Sequence, residues 1–153
     1  MNNVYRPLIG TPIADLETPC LIVDMDQLDH NMSVISEYYS DRKTKLRGHS
    51  KNHKTPAIAI RQINAGGTVG GVCAAKVSEA EVMAHSGIPS VMVTSEIIAP
   101  SKINRLCNLA DQSEIIVACE TVENARQLSG AADSRGVTLG VVIELETGLE
   151  RCG

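Results

Sequence analysis

The chain has no tryptophan and no phenylalanine, and its aromatics amount to three tyrosines. A core must therefore be assembled from Val, Ile, Leu, Ala and Met. No apolar run approaches the ~18 residues of a membrane-spanning helix, and no Lys/Arg-rich helix suggests binding to a membrane surface. A formal net charge of -4 speaks against nucleic acid, which calls for a basic face. The opening MNNVYRPLIGTPIADLETP lacks the charged-then-apolar pattern of a signal peptide. It reads as an irregular leader over residues 1–17. The five cysteines, Cys20, Cys73, Cys107, Cys119 and Cys152, form neither a CxxC pair nor a metal-ligand spacing. Cys20, Cys73 and Cys119 fall in predicted strands, where cysteine behaves as a small buried hydrophobe. Reduced core thiols fit a cytoplasmic address. Cys152 stands apart, beside a candidate site.

What is present is a regular alternation in 153 residues, a length that suits one domain with a real core. Six short apolar runs bounded by turn residues predict strands: 20–24, 44–51, 69–76, 90–95, 114–120 and 139–146. Helical spacing fills the intervals. Residues 27–40 carry an apolar stripe, and TPAIAIRQINAGG ends in glycine. SEAEVMAHSG opens with a capping-box pattern, Ser78 with Glu81, and ends at Gly87. APSKINRLCNLA has Pro100 near its start, and TVENARQLSGAA supplies a further helix. A strand and a helix about every 25 residues predict βα units and a parallel sheet. Two closures fit, an open doubly wound sheet or a (β/α)8 barrel. No GxGxxG or GxxxxGK follows the first predicted strand, which removes the strongest cue for a nucleotide-binding open sheet. A barrel needs eight strands and typically ~250 residues. Six units would be an unfinished barrel.

One stretch breaks the ordinary pattern. KLRGHSKNHKTP, residues 45–56, gathers Lys45, Arg47, His49, Lys51, His53 and Lys54 with no carboxylate among them. Side chains alternate along a strand, so Lys45, Arg47, His49 and Lys51 would share one face. A strand inside a parallel sheet should be apolar on both faces. A solvated edge strand could carry such charges to discourage aggregation. The alternative is a site at the strand's C-terminal end, where α/β sheets and barrels place chemistry. Like charges and partial burial there would disfavour the ammonium form of a lysine. A neutral amine is what attack on an aldehyde requires, and the surrounding cations would attract an anionic phosphate. Pyridoxal phosphate carries both groups.

In order, ETPCLIVDMDQLDHN, LRGHSKNHKTP, GGVCAAKVSEAEVMAHSGI, VMVTSEI and IELETGLERCG resemble the D-threonine aldolase family. That family includes D-serine dehydratase and 3-hydroxy-D-aspartate aldolase, and it is related to the N-terminal barrel of alanine racemase. The resemblance runs from Thr18 to Gly153 and is most specific in H-x-K-x-H-K. It implies an alanine racemase-like (β/α)8 barrel over 18–153, of which about six βα units are present. It also implies pyridoxal phosphate as cofactor, with Lys51 as the residue that holds it covalently and Arg151 near its phenolic oxygen. His49, His53 and Lys54 match positions of the family's pattern. Thr55 stands where the related racemases place a phosphate-binding hydroxyl, although an N-cap ahead of Pro56 explains it as well. The family often has proline where Gly48 stands, which costs some pre-organisation here.

Glu144 and Glu146 would share a face of the last strand and could orient Arg151. The family's full chains add two more βα units and a C-terminal β domain whose ligands hold a divalent metal (Mn, Mg or Zn). Neither part is expected within these 153 residues. The implied activity is that of a lyase on β-hydroxy D-amino acids. Cα–Cβ cleavage gives glycine and an aldehyde, with a dehydratase outcome or a non-catalytic cofactor carrier as alternatives. A homodimer is implied for the full-length protein.

Overall fold

The computed structural model describes residues 5–153. Residues 1–4, the start of the expected leader, lie outside the described residues. The remainder of that leader contains one short 3-10 turn, Ile13–Asp15. Five strands follow: β1 (Leu46–His49), β2 (Thr68–Ala74), β3 (Ser90–Val93), β4 (Glu114–Cys119) and β5 (Gly140–Ile143). All neighbours are parallel, in the order β1-β2-β3-β4-β5. Each strand adds to the same edge. A doubly wound sheet would reverse direction partway, whereas right-handed crossovers that never reverse keep every helix on one side. The order therefore selects the barrel-type winding from the two closures the sequence leaves open.

Five helices complete the units: α1 (Met25–Ser40), α2 (Pro56–Ala65), α3 (Val77–His85), α4 (Pro100–Leu109) and α5 (Val122–Arg135). Among the described residues, no helix is long and apolar enough to cross a membrane. Their ends follow local chemistry. Asp24 accepts from the Gln27 N–H at 3.0 Å, and Thr121 from that of Asn124 at 3.1 Å, each satisfying a free first-turn donor. Pro56 and Pro100 open α2 and α4, where a missing N–H costs nothing. Gly136, at φ 65°, closes α5 in the left-handed conformation.

Three sequence expectations are corrected. The run 20–24 forms no strand: Leu21, Ile22 and Val23 are exposed, and Cys20 with them. β-propensity is realised only where a neighbouring strand supplies pairing and burial, and the sheet begins at β1. Among the described residues the sheet thus has five strands where six were expected. Second, α3 starts at Val77, so Ser78 is already inside it and no Ser78–Glu81 box forms. Glu79 instead accepts from the Ala75 N–H at 2.8 Å, while Arg105 of α4 takes Glu81 at 2.7 and 2.5 Å. Third, the basic run is a strand only over 46–49. Lys45 lies before it and donates to the Tyr39 and Ser40 carbonyls at 2.7 and 2.8 Å, closing the C-terminus of α1.

The two sheet faces differ in kind. Val72, Ala74, Val91, Val93, Ile115, Val117 and Cys119 face the helices and pack with Met83, Leu106 and Leu128 in a core without aromatic rings. Gly48 also points this way, and a Cβ there would strike the Gln62 side chain of α2. By alternation the opposite face carries Arg47 and His49 of β1, Gly71 and Cys73 of β2, Ser90 of β3 and Glu114 of β4. At its lower end Arg47 donates to Ser90 at 2.9 Å, and Ser90 donates to Glu114 at 2.5 Å. Arg47 reaches Ser90 because residue 71 has no side chain.

Candidate active site

β1 stops at His49 because Ser50 turns inward. Its buried hydroxyl donates to the Cys73 carbonyl at 2.8 Å, and the Lys54 N–H closes the turn onto the Ser50 carbonyl at 2.7 Å. Lys51 is thereby carried off the strand onto the rim, in a 3-10 turn (Ser50–Asn52). The rim is the C-terminal end of the sheet, where barrels place their chemistry. A cavity of about 310 Å³ opens there, within the range of small-molecule sites. It is lined by His49 at the end of β1 and Lys51 after it, Ala75 after β2, Thr94, Ser95 and Glu96 after β3, and Arg151 and Cys152 beyond β5. Lys51 and Arg151, at opposite ends of the sheet's strand order, thus face one space. Lys51 Nζ makes no hydrogen bond or ion pair among the described residues.

His49 ties the lysine turn to β3. Its Nδ1 accepts the Lys51 backbone N–H at 3.3 Å, so in the neutral ring Nε2 carries the proton and donates to Thr94 at 3.1 Å. The Thr94 hydroxyl in turn donates to the Ala74 carbonyl at 3.3 Å. Burial, and then the Lys51 ammonium, hold His49 below the ordinary histidine range. His53 repeats the arrangement, accepting the Thr55 N–H on Nδ1 at 3.0 Å, and burial lowers it too. Neither ring adds a positive charge beside Lys51 at neutral pH.

The loop that carries Arg151 is shaped by carboxylates. Glu146 accepts the backbone N–H groups of Gly148 and Arg151, and the loop amides, that of Glu150 first and then that of Gly148, hold it below the usual carboxylate range. Glu120, just past β4, accepts the Gly153 N–H at 2.8 Å. Glu144 accepts from the Cys152 thiol at 2.9 Å and lies 3.9 Å from the Arg151 guanidinium. β5 ends at Ile143, so Glu144 and Glu146 act from the loop and not from one strand face. The Glu144 bond pushes the Cys152 thiol up, and contact with Cys152, followed by the nearby carboxylates, raises Arg151 further.

Of the four residues singled out from sequence, three meet: His49, Lys51 and Arg151. Thr55 does not line the cavity. It occupies the N-cap position of α2, yet its hydroxyl donates to the His53 carbonyl at 2.7 Å and caps nothing. The polar lining residues that escaped the sequence reading are Thr94, the partner of His49, with Ser95 and Glu96. Their signal was the polar T-S-E placed immediately after an apolar strand, at the end a barrel uses for chemistry.

Comparisons with known proteins bear on the fold and the family. The chain is 40% identical over 147 residues to the 3-hydroxy-D-aspartate aldolase of Paracoccus denitrificans, covering 95% of this chain and 38% of that protein. It is 33% identical over 144 residues to a D-threonine aldolase of Arthrobacter sp, covering 94% of the chain and 38% of the relative. The crystal structure of D-threonine aldolase from Filomicrobium marinum superposes with a TM-score of 0.88 at 39% identity, over 92% of this chain and 38% of that one. The chain thus spans about 38% of the length of the curated relatives it matches. The family model described as "Alanine racemase, N-terminal domain" matches residues 23–153, and the chain belongs to that family as an incomplete alanine racemase-like barrel.

Proposed function

We propose that residues 18–153 form the cofactor-holding part of a pyridoxal phosphate-dependent lyase that acts on β-hydroxy D-amino acids, with Lys51 as the covalent anchor. The reaction favoured is aldolase cleavage of Cα–Cβ to glycine and an aldehyde, in keeping with the names of the relatives above 30% identity. The observation that carries the proposal is the meeting of an unpartnered amine, Lys51, with the Arg151 guanidinium across one cavity. The donor set fits the group. An amine is available for an aldehyde, a guanidinium for an anionic oxygen, and the fully buried Glu96 Oε1, without a partner among the described residues, can accept a further donor.

Bound pyridoxal phosphate supplies an aldehyde that links to an amine and a conjugated ring that takes up the charge left when a bond at the α-carbon breaks. The chain's own residues supply position. The His49–Lys51 backbone bond and the Ser50 anchor hold the lysine turn against β2 and β3. The neutral His49 ring leaves Lys51 without a second cation pressed against it. Arg151, always charged, would hold an anionic oxygen of the cofactor and so help to orient it. His49 and Arg151 are positioning and binding groups, and Lys51 is the catalytic residue. Thr55 has no direct part in this reading. A divalent metal, homodimeric assembly and a cytoplasmic address belong to the same proposal for the whole protein.

The test is borohydride reduction of the full-length protein with pyridoxal phosphate, followed by peptide mapping. Lys51 should carry the label, and labelling of another lysine overturns the assignment. Turnover of D-threonine, D-serine and 3-hydroxy-D-aspartate, with and without chelator, then decides the reaction. Glycine formation supports the aldolase. Ammonia release points to a dehydratase, and labelling without turnover to a carrier.

A further inference from the structure

Glu96 leaves β3 at the rim and presents a carboxylate whose Oε1 is fully buried and without a donor among the described residues. A buried acceptor in that condition costs free energy until a donor arrives. Its surroundings compound the cost. The ligand atoms of Glu96, Glu144 and Cys152 all lie within 4.8 Å of one another, so two carboxylates face each other. The one S–H of Cys152 is already committed to Glu144. Besides Lys51, the neighbour with donors to spare is Arg151, which also stands beside Glu144. Its guanidinium stands 3.9 Å from Glu144, too far for a hydrogen bond, and its side chain is 65% exposed. A guanidinium offers five N–H groups on two edges of a plane and matches carboxylates two bonds at a time.

We propose that Glu96 is a positioning residue. With Glu144 it forms a two-carboxylate clamp that takes one edge of the Arg151 guanidinium and turns the other edge toward the ligand's anionic oxygen. The inference rests on the functional reading above and deepens it. Arg151 comes from a loop held through backbone amides by Glu146 and Glu120, which leaves its side chain free to swing. β3 is two strands away in the sheet, so a bond to Glu96 would tie that loop to the same strand end that holds His49 through Thr94. Lysine and arginine groups of the site would then be set by one strand, β3.

A double-mutant cycle on cofactor affinity tests this, with pyridoxal phosphate itself as the probe and the full-length chain as the protein. Dissociation constants are read from cofactor absorbance for the parent, Glu96→Gln, Arg151→Ala and the double variant. Borohydride labelling at Lys51 is followed in each. Glu96→Gln should weaken binding roughly tenfold in the parent, the scale of one hydrogen bond to a charged group. It should have no further effect once Arg151 is alanine. Glu96→Asp, which keeps the charge, should recover part of the loss and guards against a folding defect in the glutamine variant. Equal losses in both backgrounds, or none in the parent, overturn the clamp while leaving Lys51 labelled and the functional reading intact. A parent that neither binds cofactor nor labels at Lys51 overturns the functional reading, and the clamp falls with it.

Discussion

Gly71 offers a quantitative test of the face on which the site is built. A Cβ at that position would lie 2.5 Å from Arg47 Nη1, 2.5 Å from the Ser90 carbonyl and 2.8 Å from Ser90 Cβ. The arginine tip could move aside. The Ser90 carbonyl cannot, because it is backbone of β3, paired on both sides. Gly71→Ala therefore forces both the β2–β3 spacing and the Arg47 side chain to give way. Overpacking of this kind costs roughly 1–3 kcal/mol. Loss of the Arg47–Ser90 hydrogen bond adds about 1 kcal/mol, and the lower chain entropy of alanine returns about 0.5–1 kcal/mol. The net expectation is a loss of about 2 kcal/mol in urea unfolding followed by far-UV circular dichroism. Gly130 is the control: it lies inside α5 with nothing within 4 Å of an added Cβ. Gly130→Ala should stabilise by about 0.5–1 kcal/mol. A Gly71→Ala variant as stable as the parent would refute the crossing of Arg47 beneath the site.

Three other outcomes follow from the same contacts. His49 and His53 both have folded-state values depressed by burial, so the folded protein binds fewer protons than the unfolded chain as they titrate. Stability should be full above the ordinary histidine value of about 6.5 and fall as pH drops through the folded values. The urea midpoint should be lower at mildly acidic than at neutral pH, and a flat profile over that window contradicts the assignment. Ser50→Ala leaves the Cys73 carbonyl without its hydroxyl donor and should cost about 1 kcal/mol in thermal unfolding. Full stability in that variant would show that the lysine turn is not anchored there. Leu106, fully buried in the helix-side core, should cost about 2–5 kcal/mol on change to alanine, and a cost below 1 kcal/mol would mean that the core is looser than its packing indicates.

Much of this protein was legible in its residue order because the relevant forces are local. The spacing of apolar residues announced α1 to α5 and β2 to β5, since a helix or strand buries whichever face its period presents. The run of cations around Lys51, with no carboxylate among them, marked the segment for attention, although Lys45 caps α1, Arg47 bonds Ser90 and β1 lies at the edge of the sheet. The misreadings have a common source. The run 20–24 has strand chemistry but no strand beside it. Ser78 has capping chemistry, yet the helix had already begun at Val77 and Arg105 had claimed Glu81. Lys45 belongs to the same basic run as Lys51 and ends as the C-terminal cap of another helix.

Residue order by itself thus determined the βα repeat and the composition of an aromatic-free core, and it singled out Lys51 as the amine to test. Only the tertiary structure decided that the strands add in one direction, that Arg151 arrives opposite Lys51, and that Thr94 and Glu96 join them. The reason is physical. Periodicity and capping act over a few residues of chain. A cavity is made by strand ends some 100 residues apart, brought together by the registration of a parallel sheet.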